Sequence, residues 1–320
     1  MIAEPLNISI VTPAARGSRV GNRVTALRWA GLLRQLGHRP RLTDAWRDAP
    51  SDVLVTIHAI KSADAVLAAR RARPTLPIVT LMSGTDIYPD LARSDAALAA
   101  LRTADRIIAL QPLARDALPT ELWSRVRTIV QSATAAAAAR DPEFQACVVA
   151  HLRPVKAPLL AVRALAKLGP DTPVTLTLAG ERLAGAYSDD VLAAAASNPR
   201  ARWLGSLSRL KSKELLARST VCVVPSIAEG GANVISEAIA AGTPVLCSAI
   251  PGNLGLLGAD WPGSFTPGDA DECAALLQRA AADREFLDDL RARTLALQPM
   301  VDPATERAAW RALLQDLRDE

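Results

Sequence analysis

Apolar residues along this chain cluster in short continuous runs at 6–12, 52–57, 77–81, 104–110 and 126–130, and again at 145–150, 174–180, 221–225 and 244–247. Runs this short and rich in Val, Ile and Leu predict strands, the most continuous of them covered on both faces of a sheet. Helical spacing lies between them. From Arg23 to Leu36, the residues Val24, Leu27, Ala30 and Leu33 share one face, and Gly37 ends the segment. Similar helices are expected at 158–168, stopped by Gly169, at 207–218, and around Glu237 to Ala241, closed by Gly242. Strand and helix alternate through the first half and again through the second. That pattern predicts two doubly wound α/β domains with parallel sheets. The alanine-rich stretch 131–141 breaks the rhythm, so the first domain is expected at 1–138 and the second at 139–302. An amphipathic tail helix is expected at 303–320.

Composition narrows the class. The chain of 320 residues is long enough for two hydrophobic cores. Its start, Met1 to Pro5, leads straight into a strand and does not read as a signal peptide. No uncharged apolar run approaches the ~18 residues of a transmembrane helix. Cys147, Cys222, Cys247 and Cys273 show no metal-ligand spacing, so buried thiols in a reducing compartment, the cytoplasm, are expected. Charge is uneven: residues 1–140 carry 19 Lys+Arg and 11 Asp+Glu, whereas residues 141–320 carry 18 and 22. A basic first half attracts an anionic partner. Nucleic acid is not expected, because no basic run is interleaved with aromatics.

The most informative stretch is Glu229-Gly230-Gly231-Ala232-Asn233-Val234-Ile235-Ser236-Glu237. It joins the buried run 221–225 to the next helix, so the two glycines stand at a helix N-terminus, where backbone N–H groups suit a diphosphate. Glu229 and Glu237 bracket that position and offer acceptors to sugar hydroxyls. Upstream, the run 145–150 ends in His151-Leu152-Arg153-Pro154-Val155-Lys156, which brings cations to the end of another strand. Asp269-Ala270-Asp271 superficially suggests a metal site, but it opens an alanine-rich helix, and Asp269 reads as its N-cap.

In the first half, the first strand is followed by a glycine-bearing loop, with Gly17, Ser18, Gly21 and Asn22, and then by a helix. Neither a dinucleotide fingerprint nor a Walker loop is present. The loop is an anion nest with Arg16, Arg19 and Arg23 close in sequence. His58 and Lys61 follow the strand 52–57, at the carboxyl end where open α/β sheets bind ligands. Ser83-Gly84-Thr85-Asp86 follows the strand 77–81 in the same way.

These motifs resemble the Glu-x7-Glu signature and the HGTD-type loop of GT-B glycosyltransferases of the GT4 group. The resemblance implies two Rossmann-like domains facing across a cleft, with the tail helix crossing back to the first. It places Glu229 near the transferred sugar and Glu237 on the ribose hydroxyls. Lys156 and Arg153, with His151 at the position of an arginine in relatives, are implied to hold the donor diphosphate. Gly230, Gly231, Ala232 and Asn233 complete the donor site. The usual histidine of the HGTD-type loop is replaced by Ser83, so any base has to come from elsewhere, for example His58, or is not needed. The segments Gly21-Asn22-Arg23, Arg28-Trp29-Ala30, His58 to Ser62, Gly84-Thr85-Asp86 and His151 to Lys156 are similar to those of the selenosugar synthases of selenoneine biosynthesis. That likeness implies transfer from a UDP-sugar, of UDP-GlcNAc or UDP-glucose type, to selenophosphate or another anionic acceptor. Gly17, Ser18, Asn22 and Arg23, with Lys61 and Thr85, are its expected acceptor-binding residues. The expected catalytic residues are Glu229, Lys156, Arg153 and His58, with no metal and no cofactor. A lipid or small-alcohol acceptor and a non-catalytic sugar-nucleotide sensor are the alternatives. The sugar, the stereochemistry of the new bond and the oligomeric state stay open.

Overall fold

The computed structural model describes residues 4–18, 21–88 and 90–319, with the side chains of Thr85 and Ala92 outside the description. It divides into two compact units. The first comprises residues 1–130, 229–231 and 304–320, and the second residues 131–228 and 232–303. The division thus falls at Val130/Gln131, ahead of the expected break after 138, because the Ala133 N–H already donates to the Val301 carbonyl (3.0 Å) inside the second unit.

The first unit runs β1 (Asn7–Val11), α1 (Gly21–Gln35), β2 (Arg39–Thr43), β3 (Val53–Ile57), α2 (Ala63–Ala72), β4 (Ile78–Leu81), α3 (Asp95–Thr103), β5 (Arg106–Ala109) and β6 (Val126–Thr128). All sheet pairings are parallel, in the order β2-β1-β3-β4-β5-β6. Every residue of β3, β4 and β5 is buried, as interior parallel strands require. Thr56 and Thr80, register partners on β3 and β4, satisfy each other by a 3.0 Å hydroxyl bond. The edge strand β2 was not legible as an apolar run. It reads Arg-Pro-Arg-Leu-Thr, with only Pro40 buried, and an edge position tolerates a proline that cannot donate to the ladder.

The second unit runs β7 (Gln145–Val149), α4 (Pro158–Lys167), β8 (Thr175–Ala179), α5 (Ala186–Ala196), β9 (Ala201–Trp203), α6 (Arg209–Arg218), β10 (Val221–Val224), α7 (Asn233–Ala241), β11 (Val245–Ser248), α8 (Pro251–Leu257), β12 (Ser264–Phe265), α9 (Ala270–Ala282) and α10 (Arg284–Ala296). Its sheet is also parallel, in the order β12-β11-β10-β7-β8-β9. Cys147 and Cys222 face each other across β7 and β10, and all four cysteines are buried free thiols.

The last helix, α11 (Pro303–Asp316), completes the core of the first unit. Trp310 and Trp29, both fully buried, meet edge to face at 4.8 Å. The Trp29 indole N–H donates to the buried Glu306 carboxylate at 3.0 Å, and Arg28 lies 3.7 Å from the same group. Further along, Asp316 accepts from both Arg106 (2.7 Å) and Arg127 (2.9 Å). Among the described residues no helix is long and apolar enough to cross a membrane.

Candidate active site

Each sheet reverses its strand order once. In the first unit the reversal lies between β1 and β3, and in the second between β7 and β10. Ligands of open α/β sheets bind beyond the carboxyl ends of the strands at such a reversal. Most of the expected site residues follow one of these four strands.

In the second unit, β10 leads into the loop 225–228, and the next residue, Glu229, counted with the first unit, is buried with 5 % exposure. The loop is fixed from two sides. The Ser248 hydroxyl donates to the Ser226 carbonyl, and the Ile227 N–H donates to the Val155 carbonyl at 2.9 Å. The second bond ties the approach to Glu229 to the turn 154–156 that carries Lys156. That turn leads through Ala157, held in the left-handed region (φ +46°), into α4. Arg153 is exposed just ahead of it.

Helix α7 begins after Ala232, its N-cap, which has no side-chain oxygen to accept from the first turn. α6, α9 and α10 are capped by Ser208, Asp269 and Asp283, whereas α4, α5 and α8 begin, like α7, without a side-chain cap. Glu237 lies half-buried one turn into α7. Gly230 and Gly231 have ordinary backbone angles, so their glycine requirement is one of space. Within the first unit, a Cβ on Gly230 would come 2.7 Å from the Gly84 nitrogen, and one on Gly231 would come 2.6 Å from the Leu110 Cβ.

His151 differs from the cations beside it. Burial holds its imidazole below the ordinary pKa, with Arg153 and Lys156 acting in the same direction and Glu181 opposing. Its Nδ1 accepts the Glu181 N–H at 3.3 Å, so at neutral pH it is an uncharged ring with Nε2–H as its only donor. The segment 248–253 turns at once into α8. Ser248 and Asn253 are fully buried, the amide of Asn253 donating to Ser248 O (3.0 Å) and Oγ (3.2 Å). Asp269 accepts from the N–H groups of Asp271 (2.8 Å) and Glu272 (3.0 Å), and Asp271 pairs with Lys167 at 2.7 Å. Both carboxylates of the DxD-like motif therefore have structural partners.

In the first unit, Gly17 adopts φ +86°, closing a turn in which the Ser18 N–H donates to the Ala15 carbonyl (3.1 Å). Arg19 and Val20 lie outside the described residues. Asn22 and Arg23 stand in the first turn of α1. The Ser83 hydroxyl, past β4, donates to Asn22 Oδ1 at 3.1 Å. With its oxygen engaged, Asn22 presents its NH₂ donors. Ser18 Oγ and Arg23 Nε are buried atoms without a protein partner among the described residues. The loops after β3 and β4 are joined by Asp86, whose Oδ2 accepts from the Ala59 N–H at 2.7 Å and lies 3.3 Å from His58 Nδ1. The Lys61 N–H reaches the same Nδ1 at 3.4 Å. Asn22, Ser83, Asp86, His58 and Lys61 are thus neighbours in one chain of contacts. Thr85 lies within its loop, and its side chain is outside the described residues. Ser83 and Asp86, which tie the loops together, were absent from the expected site list because neither bond is visible along the chain.

Two open concavities of the second unit lie elsewhere, one lined by Asp141, Pro142, Glu143, Gln145 and Thr175 at the amino ends of β7 and β8, and the other beside Trp203. They contain none of these residues. Among the described residues, no three His, Cys, Asp or Glu side chains cluster as metal ligands do.

The family model for glycosyl transferases group 1 matches residues 131–295, just over half of the chain and nearly all of the second unit. No curated protein matches in sequence. Among solved structures, HepE from Anabaena in complex with UDP and glucose is similar with a TM-score of 0.77 and 18% identity, covering 97% of this chain and 100% of its own. Sucrose-phosphate synthase from Thermosynechococcus elongatus has a TM-score of 0.80 at 17% identity, covering 98% and 99%. The UDP-forming alpha,alpha-trehalose-phosphate synthase from Burkholderia vietnamiensis has a TM-score of 0.69 at 17% identity, covering 95% of this chain and 79% of its own.

Proposed function

This chain belongs to the glycosyl transferases group 1 family and has the GT-B fold, and from that premise we propose that it moves a sugar from a UDP-sugar to selenophosphate without a metal ion. The observation that carries the donor half is the start of α7. A helix capped by alanine directly after Glu229-Gly230-Gly231 leaves the task of meeting its N-terminal dipole to an anion, and the donor diphosphate is that anion. Lys156 and Arg153 neutralise the diphosphate as the bond from the anomeric carbon to its oxygen breaks and UDP leaves. Glu229 accepts from the sugar hydroxyls and Glu237 from the ribose. The neutral His151 serves as a hydrogen-bond donor only. A UDP-glucose-type donor is supported by HepE, whose structures hold UDP-glucose.

The acceptor half rests on the first unit. Ser18 Oγ, the Asn22 amide, Arg23 and Lys61 form a set of donors, on the half of the chain that is in cationic excess. Such a set suits an acceptor that arrives ionised and needs no base, which accords with Ser83 standing in place of histidine. The selenium of selenophosphate then bonds to the anomeric carbon.

The test is to incubate the protein with selenophosphate and a panel of UDP-sugars and to identify products by mass. The expected result is UDP together with a selenium-bearing sugar, undiminished by EDTA. Glycosylation of a neutral alcohol or lipid with no selenium product would overturn the acceptor assignment, and activity restored to an EDTA-treated sample by magnesium or manganese would overturn metal independence.

A further inference from the structure

His58 is the first residue past β3, and its φ of +77° lies in the left-handed region that side-chain-bearing residues rarely adopt. The group that holds this turn is Asp86. Its carboxyl is fully buried, takes the Ala59 N–H at 2.7 Å, and sits 3.3 Å from His58 Nδ1. The Lys61 N–H also points to Nδ1, at 3.4 Å. A ring nitrogen that accepts an N–H carries no proton of its own. An ionised Asp86 would then set two lone-pair atoms against each other in a dry site. The contact becomes attractive once Asp86 keeps its proton and donates O–H to Nδ1, which leaves the single imidazole proton on Nε2.

We propose that Asp86, as an uncharged acid, is the positioning residue that fixes His58 in its Nε2–H tautomer, so that His58 gives the anionic acceptor a hydrogen-bond donor and does not act as a base. Burial supports the same protonation states. It pushes Asp86 up to about 8, against the N–H groups of Ala59, Ser83 and Asp86 itself and the charge of Lys61. It also pushes His58 down to about 4, with Lys61 acting in the same direction and the His58 carbonyl and Asp90 opposing. Lys61, from the turn after β3, and Asp90, from the segment after β4, are the charged groups acting on the pair. As pH rises through about 8, Asp86 releases its proton to solvent. His58 then loses the Nε2 proton, gains one at Nδ1 facing the new carboxylate, and turns a lone pair outward in place of a donor. Acceptor binding weakens above that pH. The assignment of the tautomer stands on the geometry alone; its consequence for the acceptor rests on the proposed function.

Ring nitrogen NMR of the ¹⁵N-histidine-labelled protein tests the tautomer without any substrate. The chain has three histidines, and His58→Gln identifies the signal. The expected spectrum at pH 7 is a neutral Nε2–H ring that changes to Nδ1–H near pH 8. An Nδ1–H ring at pH 7, or an imidazolium at pH 6, overturns the proposal. Kinetics test the role. Asp86→Asn cannot ionise, and its amide replaces the one oxygen that both accepts from Ala59 and faces Nδ1, so it keeps one of the two contacts: the acceptor KM at pH 7 should rise less than in Asp86→Ala and should lose its alkaline rise. Asp86→Ala should raise that KM about tenfold, the scale of one to two lost hydrogen bonds, with UDP affinity unchanged. An Asp86→Asn variant as impaired as Asp86→Ala shows that the carboxylate itself is required and overturns the proposal. If the variants melt early, the wild-type NMR titration decides. The expected tautomer in a protein that makes no selenium product separates failure of the acceptor reading from failure of this one.

Discussion

The two strand-order reversals share a backbone plan and differ in what stands on it. At the second-unit reversal the proposed donor groups are long charged side chains on turns, with Lys156 and Arg153 after β7, and Glu237 on a helix whose cap is a bare alanine. At the first-unit reversal the proposed acceptor groups join a largely buried web in which each polar group orients the next: Ser83 to Asn22, Asp86 to Ala59 and His58. The lesson is physical. A site made for a large, mobile diphosphate can rely on Coulomb attraction and open N–H groups, which tolerate some freedom. A site made for a small anion has to place a few donors closely, and buried hydrogen bonds fix positions better than surface charges do.

If this contrast is right, substitutions at the second reversal change ligand affinity and rate while leaving the fold intact, and those at the first act through geometry. The largest effect is expected for Lys156→Ala, a loss on the order of 10²-fold in kcat at an unchanged melting temperature. Single-turnover kinetics with saturating donor measure it. Next comes Glu237→Ala. Losing one or two charge-assisted bonds, each worth roughly 1.5–3 kcal/mol, should weaken UDP at least about tenfold in calorimetry. An unchanged affinity in the folded variant would remove Glu237 from the donor site. Arg23→Ala should raise the acceptor KM by about tenfold while UDP affinity holds, and the wild-type KM should climb with ionic strength as salt screens the basic unit. A rise in UDP Kd of the same size would erase the division between the two reversals. The smallest effect sharpens the contrast between helix ends. Asp269→Ala removes the cap of α9 and should cost about 1 kcal/mol in denaturant unfolding, with UDP affinity and metal response unchanged. A loss of activity there, rescued by magnesium, would reopen the DxD reading.

Much of this was legible along the chain. The apolar runs of β3, β4, β10 and β11 read as interior parallel strands, because they are short, apolar on both faces and rich in branched residues. The sequence by itself also determined that Glu229, the glycine pair and Glu237 would span a strand-to-helix turn, because these signals are local: a run ends, glycines follow, and a helical period begins. Edge strand β2 escaped, since half of its surface is solvated and it carries no apolar run. Only the tertiary structure decided which strand ends meet. β7 lies beside β10 although two strands intervene in sequence, so that Ile227 and Val155 become hydrogen-bonded neighbours. It also decided protonation. Nothing in the letters His58, Asp86 or His151 distinguishes a charged group from a neutral one, because ionisation depends on the water excluded and the charges brought near, and both are set by residues distant in the chain.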